Sequence, residues 1–253
     1  MDLKLTGKRA LITGASKGIG LAAAFSLGRE GCEVVITARN GQTLDRAAGE
    51  LRGVGITATA IACDLSHEEQ QNALAAQCGG LDILVNNAGA IPPGSLQELD
   101  MQRWRSAWDL KVFGYIALTQ KLYPRIAERK GAIVNVIGAG GEHFPPDYIA
   151  GSAGNAALMG FVKALGRSSH RDGVRVVGIN PGYVQTDRVM VMMQAVAEKD
   201  LGSVDRWQEL FSHLPFGRAA KAEEIGDAVA FLASPLSGYT SGTILTIDGG
   251  YVS

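Results

Sequence analysis

The stretch RALITGASKGIG, Arg9 to Gly20, decides the fold. Arg9–Thr13 has the apolar, β-branched character of a buried strand, and an alanine-rich segment of helical period, GLAAAFSLGREG, begins at Gly20. Between them stand Gly14, three residues, Gly18, one residue, and Gly20. Glycine permits the tight turn and lets the backbone approach a pyrophosphate, while the N–H groups and dipole of the helix start favour negative charge. A glycine triplet alone would mark only a turn; the strand before it and the helix after it give it meaning.

Outward from that point the rhythm repeats. CEVVIT, ITATAIA, LDILVN, AIVNV, VRVVGIN and TILTI are strand-like runs that alternate with segments of helical period such as EEIGDAVAFLAS. Strand then helix, repeated, predicts an α/β fold: one Rossmann-like, doubly wound parallel sheet of about seven strands with helices on both faces. No Pro/Ser-rich linker, low-complexity tract or internal repeat interrupts residues 1–253, so a single domain is expected. One long stretch, 188–218, departs from the rhythm, with Met190, Met192, Met193, Trp207, Phe211 and Phe216 around a polar middle. It reads either as a substrate lid or as ordinary packing at helical spacing.

Composition narrows the function classes. Lys and Arg total 24 against 25 Asp and Glu, a net charge of -1, with no block of one sign suited to nucleic acid or anionic lipid. A small-molecule partner is expected, with neither nucleic acid nor membrane. Cys32, Cys63 and Cys78 are too few and too scattered for a disulfide framework or a zinc site, and His67, His143, His170 and His213 form no metal motif. No run reaches the ~18 apolar residues of a membrane span, and MDLKLTGKRALITGAS lacks the core of a signal peptide, so a soluble cytoplasmic protein is expected.

TGASKGIG, CDLS, NNAG, NPGYVQTD and the closing IDGG occur in the order found in the classical short-chain dehydrogenase/reductase family, which this chain resembles nearly end to end. The resemblance implies cofactor contacts from Gly14, Ser16, Lys17, Gly18, Ile19 and Gly20, and from Asp64 and Leu65 near the adenine. It places Asn86, Asn87, Ala88 and Gly89 by the ribose and central strand, and Pro181, Gly182, Val184 and Thr186 on the nicotinamide side. It also implies a homotetramer or homodimer. The second strand ends in Ala38-Arg39, where an NAD site would place a carboxylate for the ribose 2′-hydroxyl. Arg39 suits a 2′-phosphate instead, and Lys17 adds a second positive charge, so NADP(H) is expected over NAD(H).

The family's acid/base machinery is a tyrosine, a lysine four residues on that lowers its pKa, a serine and an asparagine. Aligned on NAALMGFVKAL, this chain has Gly151 at the tyrosine position, Asn155 at the lysine position, Gly138 at the serine position and Lys111 at the asparagine position. None of the six tyrosines has a lysine four residues on. The asparagine and the lysine have traded places. The expected rebuilt site uses the ammonium of Lys111, with Tyr148 as the candidate acid, Asn155 beside them, and His143 and Asp147 as weaker candidates. Three readings stay open: an oxidoreductase with a non-standard acid/base site, a cofactor-binding sensor or regulatory protein without turnover, and other chemistry.

Overall fold

In the computed structural model the described residues are Asp2–Tyr251, save the side chains of Arg188 and Met192. Alternation along the chain produces β1 (Arg9–Thr13), α1 (Gly18–Arg29), β2 (Glu33–Ala38), α2 (Gly41–Gly53), β3 (Ala58–Ala62), α3 (Glu68–Gln77) and β4 (Ile83–Asn86). The second half follows with α4 (Met101–Trp108), a π-helical turn (Asp109–Phe113), α5 (Gly114–Glu128), β5 (Ala132–Val136), the short α6 (Gly140–His143), α7 (Ile149–Gly166) and β6 (Arg175–Pro181). A two-residue strand β7 (Val184–Gln185), α8 (Asp187–Leu201), a 3-10 segment (Val204–Phe211), β8 (Ala220–Lys221), α9 (Ala222–Ala233) and β9 (Ile244–Ile247) complete it.

The main sheet is seven-stranded and parallel, in the order β3-β2-β1-β4-β5-β6-β9, and β7 pairs with β8 beside it. Successive strand residues face opposite layers, so Ala10 and Ile12 enter one core with Leu27, Ile36, Val134 and Val229, while Leu11 enters the other with Leu84, Tyr115, Leu118 and Ile133. That two-sided burial is why the strands read as nearly continuous apolar runs.

Strand order reverses between β1 and β4, and the carboxyl ends of those strands open a crevice there, the usual ligand position in open α/β sheets. Gly14 follows β1 and Asn87 follows β4, so both motifs reach that crevice. All seven strand-like runs are strands of the main sheet. The pair β7–β8 is too short to carry a periodic signal, and α1 starts at Gly18 inside the glycine motif.

Candidate functional site

The first wall of the crevice is the glycine loop. Gly14 adopts φ +65, and a Cβ there would lie 2.8 Å from Ala88 Cα; at Gly20 it would lie 2.5 Å from Gly14 O. Only glycine lets the loop, the helix start and the NNAG segment close on one another. Thr13 Oγ1 accepts from the N–H groups of Asn87 (2.8 Å) and Ala88 (3.0 Å), and Asn87 Nδ2 donates to Thr13 O (2.9 Å). The Thr13 hydroxyl was not singled out in the sequence, although it sits directly before Gly14.

Asn40 and Asp100 cap α2 and α4 with their side chains, but Lys17, at the N-cap of α1, makes no side-chain cap hydrogen bond. With no side chain capping them, the first-turn N–H groups of α1 beside the glycine loop form a cradle that suits a pyrophosphate. Thr186 Cγ2 lies 3.3 Å from the Cβ position of Gly18, which brings the segment after β6 over the same helix start. Lys17 and Arg39 are both exposed at this end. Burial raises the Asp64 pKa, but hydrogen bonds from Ser66 and the charges of Arg39 and His67 outweigh it and hold the carboxyl below its ordinary value. Leu65 and Ile19 pack into the cores, and Asn86 turns inward to Thr119 Oγ1 (3.0 Å) and Asn135 Oδ1 (2.9 Å).

The second wall is built by α5, α7 and the end of β5. Lys111 lies in the π-helical turn ahead of α5, a distortion frequent at functional sites, and is 8% exposed. A buried ammonium needs acceptors. Lys111 Nζ donates to Ile137 O and to Asn155 Oδ1 (2.9 Å), and Asn155 Nδ2 donates to Gly138 O (3.3 Å). The lysine stem runs past Gly89, where a Cβ would come within 2.8 Å of Lys111 Cδ. Three sequence-selected positions, Lys111, Asn155 and Gly138, thus form one hydrogen-bonded chain, and Gly89 leaves room for it.

Tyr148 precedes α7 by one residue and its ring folds over Gly151: a Cβ at Gly151 would lie 2.0 Å from both Cε1 and Cζ. The segment is pinned by Gly94 N donating to Asp147 O (2.6 Å) and Ile149 N donating to Gly94 O (3.3 Å), while Trp104 and Tyr148 pack against Ile91, Leu99 and Ala150. No sequence signal marked the Gly94 contact. His143 Nδ1 lies 3.0 Å from Ala139 O, and its ring stands edge-on to Tyr251 at 6.2 Å. Other tyrosines are held as phenols: burial drives Tyr115 up while it donates to Val136 O (3.0 Å), and burial and the Asp172 carboxylate push Tyr123 up to about 12.

The 188–218 stretch forms α8 and the 3-10 segment. Met193, Val189 and Trp207 pack around Phe211, Leu214 and Ala219, a small core of its own, while Phe216 projects outward. Met190 is partly buried, and the Met192 side chain lies outside the described residues. Among the described residues no group of three His, Cys, Asp or Glu side chains is placed to hold a metal ion, and no helix is long and apolar enough to cross a membrane.

Comparison with known proteins agrees with this architecture. The profile described as enoyl-(acyl carrier protein) reductase matches residues 14–252. The 7alpha-hydroxysteroid dehydrogenase of Escherichia coli (strain K12) is 30% identical over 256 residues, covering 99% of this chain and 96% of that protein. The structure of L-sorbose reductase from Gluconobacter frateurii complexed with NADPH and L-sorbose superimposes with a TM-score of 0.95 at 31% identity, covering 100% of this chain and 99% of that one. A 7alpha-hydroxysteroid dehydrogenase complexed with NADH and 7-oxo glycochenodeoxycholic acid superimposes with a TM-score of 0.88 at 30% identity, covering 99% and 96%. Likeness of sequence and fold over nearly the whole chain makes this protein a member of the classical short-chain dehydrogenase/reductase family of oxidoreductases.

Proposed function

We propose that the chain is an NADP(H)-preferring oxidoreductase of carbonyl or alcohol substrates whose acid/base site is rebuilt from Lys111, Asn155 and Tyr148. One observation carries the reading: the buried Lys111 ammonium is hydrogen-bonded to Asn155, the residue at the position where the family has its lysine. A positive charge is thereby kept at the foot of α7 although it arrives from the neighbouring helix. The Tyr148 ring, lying over Gly151, occupies space in which a side chain at 151 would begin.

On the cofactor side Gly14, Ser16, Lys17, Gly18, Ile19 and Gly20 would hold the pyrophosphate loop, Leu65 through its backbone and Asp64 the adenine end, and Asn87, Ala88 and Gly89 the ribose end. Pro181, Gly182, Val184 and Thr186 would flank the nicotinamide. Bound NADPH supplies the hydride for carbonyl reduction. Arg39 and Lys17 would take the 2′-phosphate; the neighbours above were solved with NADPH in one case and NADH in the other, so these two side chains carry the preference. In reduction Tyr148 gives a proton to the forming alkoxide, and the Lys111 charge stabilises both the phenolate left behind and the alkoxide. The segment 188–218 acts as the lid, and a homotetramer or homodimer completes the proposal, using the edge strand β9 and the helix surface near the exposed Phe113.

The same contacts favour a second reading, a cofactor-binding regulator without turnover, since an ammonium held by a carbonyl and an amide also serves a purely structural role. A panel of ketones assayed with NADPH separates the two. Lys111→Met and Tyr148→Phe are expected to abolish ketone-dependent NADPH oxidation while keeping NADPH binding; full activity in both variants would end the rebuilt-site reading.

A further inference from the structure

Behind the lid lies a chamber of about 170 Å³ between its returning end, β8 and the carboxyl end of β9. Tyr183, Leu214, Pro215, Phe216, Ile247 and Tyr251 form mostly apolar walls. It borders the segment after β6 directly, since a Cβ at Gly182 would lie 2.7 Å from Asp248 Cβ and Asp248 lines the chamber. Its size is close to the ~150 Å³ that accepts a benzene-sized guest in an apolar cavity.

Three features mark the chamber as a ligand site. Phe216 adopts φ +60, a conformation that costs energy for a bulky side chain, and yet its ring is 85% exposed. Strain is thus tolerated at the residue that sets an aromatic ring over the end of β9. Gly249 lets Pro215 close over the end of β9, because a Cβ there would come within 2.9 Å of Pro215 Cβ, and the Phe216 ring stands beside it. Arg218 holds Glu224 through two hydrogen bonds of 2.8 and 2.7 Å, which leaves little positive charge to attract an anion, and Asp248 adds a further carboxylate to the lining. Tyr183 is kept a neutral phenol, its pKa raised by burial, then by Tyr251 and Asp147.

Tyr251 ties the chamber to the rest of the site. Its ring stands edge-on to Tyr183 at 5.9 Å, to His213 of the lid at 6.4 Å and to His143, five residues before Tyr148, at 6.2 Å. We propose that this chamber receives an uncharged six-membered ring, or an apolar group of that size, carried by the substrate. The assignment rests on the oxidoreductase reading, because it takes the ring to be one end of a molecule whose carbonyl reaches Tyr148.

The probes are methyl ketones bearing a cyclohexyl ring on linkers of zero to four methylene groups, their ring-free counterparts, and analogues with a ring carboxylate. KM with NADPH is measured for wild type, Phe216→Ala and Ala220→Leu, the last filling the chamber without removing its rim. Calorimetric binding of the same ketones to the cofactor-free chain gives a readout independent of turnover. One linker length should lower KM at least tenfold against its ring-free counterpart, the carboxylate should lose that gain, and both variants should lose it with NADPH affinity unchanged. Equal KM values with and without the ring, or a ring preference intact in both variants, would overturn the chamber while leaving the oxidoreductase reading in place. Ring binding by calorimetry that both variants lose, with no ketone ever reduced, would refute the substrate assignment through the failure of that reading.

Discussion

The glycine loop and the wall that carries Lys111, Asn155 and Tyr148 are built on opposite principles. Around Gly14 and Gly20 the backbone does the work: glycines close the turn, Thr13 ties β1 to the NNAG segment, and the uncapped start of α1 presents N–H groups. Backbone sites of this kind tolerate few substitutions, since an added Cβ meets main-chain atoms at 2.5 to 2.8 Å. Around Gly138 and Gly151 side chains meet instead: Lys111 arrives from the turn before α5, Asn155 answers from α7, and Tyr148 leans in from the loop before it. A charge can be delivered from either of two adjacent helices, whereas a phosphate loop has one geometry.

The largest test of this contrast strikes the side-chain wall. Lys111→Met and Tyr148→Phe should each lower ketone-dependent NADPH oxidation by about 10²- to 10⁴-fold, the usual contribution of a positioned acid and its partner charge, with the NADPH dissociation constant unchanged. Gly151→Ala comes next. The new methyl group would fall on the Tyr148 ring and displace it, lowering kcat by roughly 10²-fold, as a misplacement of about 1 Å can, while NADPH affinity stays level. If kcat is unaffected, Tyr148 is not the acid.

The cofactor wall is sharpened by Arg39→Asp, which should weaken NADPH about tenfold, the low end for an exposed charge-assisted hydrogen bond, and leave NADH nearly unchanged. Equal weakening of both nucleotides would remove the 2′-phosphate assignment. The smallest effect concerns the chamber rim, where hydrogen bonds from Arg218 and then from Lys221 N lower the Glu224 pKa from 4.5 to about 2. A carboxyl depressed on folding stabilises the chain above pH 4.5 and loses that contribution as pH falls through about 2. The loss is modest because Glu224 remains 42% exposed. Melting temperatures of wild type and Glu224→Gln should therefore converge between pH 4.5 and 2; a gap that widens there would contradict the sign.

Most of the fold was legible because two-sided burial writes itself as apolar runs, and each of the seven runs became a strand of the sheet. The glycine loop was legible for a similar reason, since backbone geometry selects residue type directly. The second wall was legible only as an absence. That Gly151 lacks a side chain is plain in the sequence, but that Tyr148 fills the space depends on a loop clamped to Gly94 through Asp147 and Ile149, long-range contacts that no local pattern encodes. That Lys111 and Asn155 are neighbours was expected from the resemblance, while their hydrogen bond, the participation of Ile137 O and the strained Phe216 needed the structure. The 188–218 stretch, whose helical spacing left packing and a lid both open, forms a small packed core with one aromatic turned outward.

The most direct test is a single-turnover experiment on wild type and Lys111→Met, each loaded with NADPH and mixed with a ketone the wild type reduces. The account predicts equal nicotinamide fluorescence on loading, rapid loss of it in wild type, and loss slower by at least about 10²-fold in the variant. Oxidation of bound NADPH by Lys111→Met at the wild-type rate would contradict it.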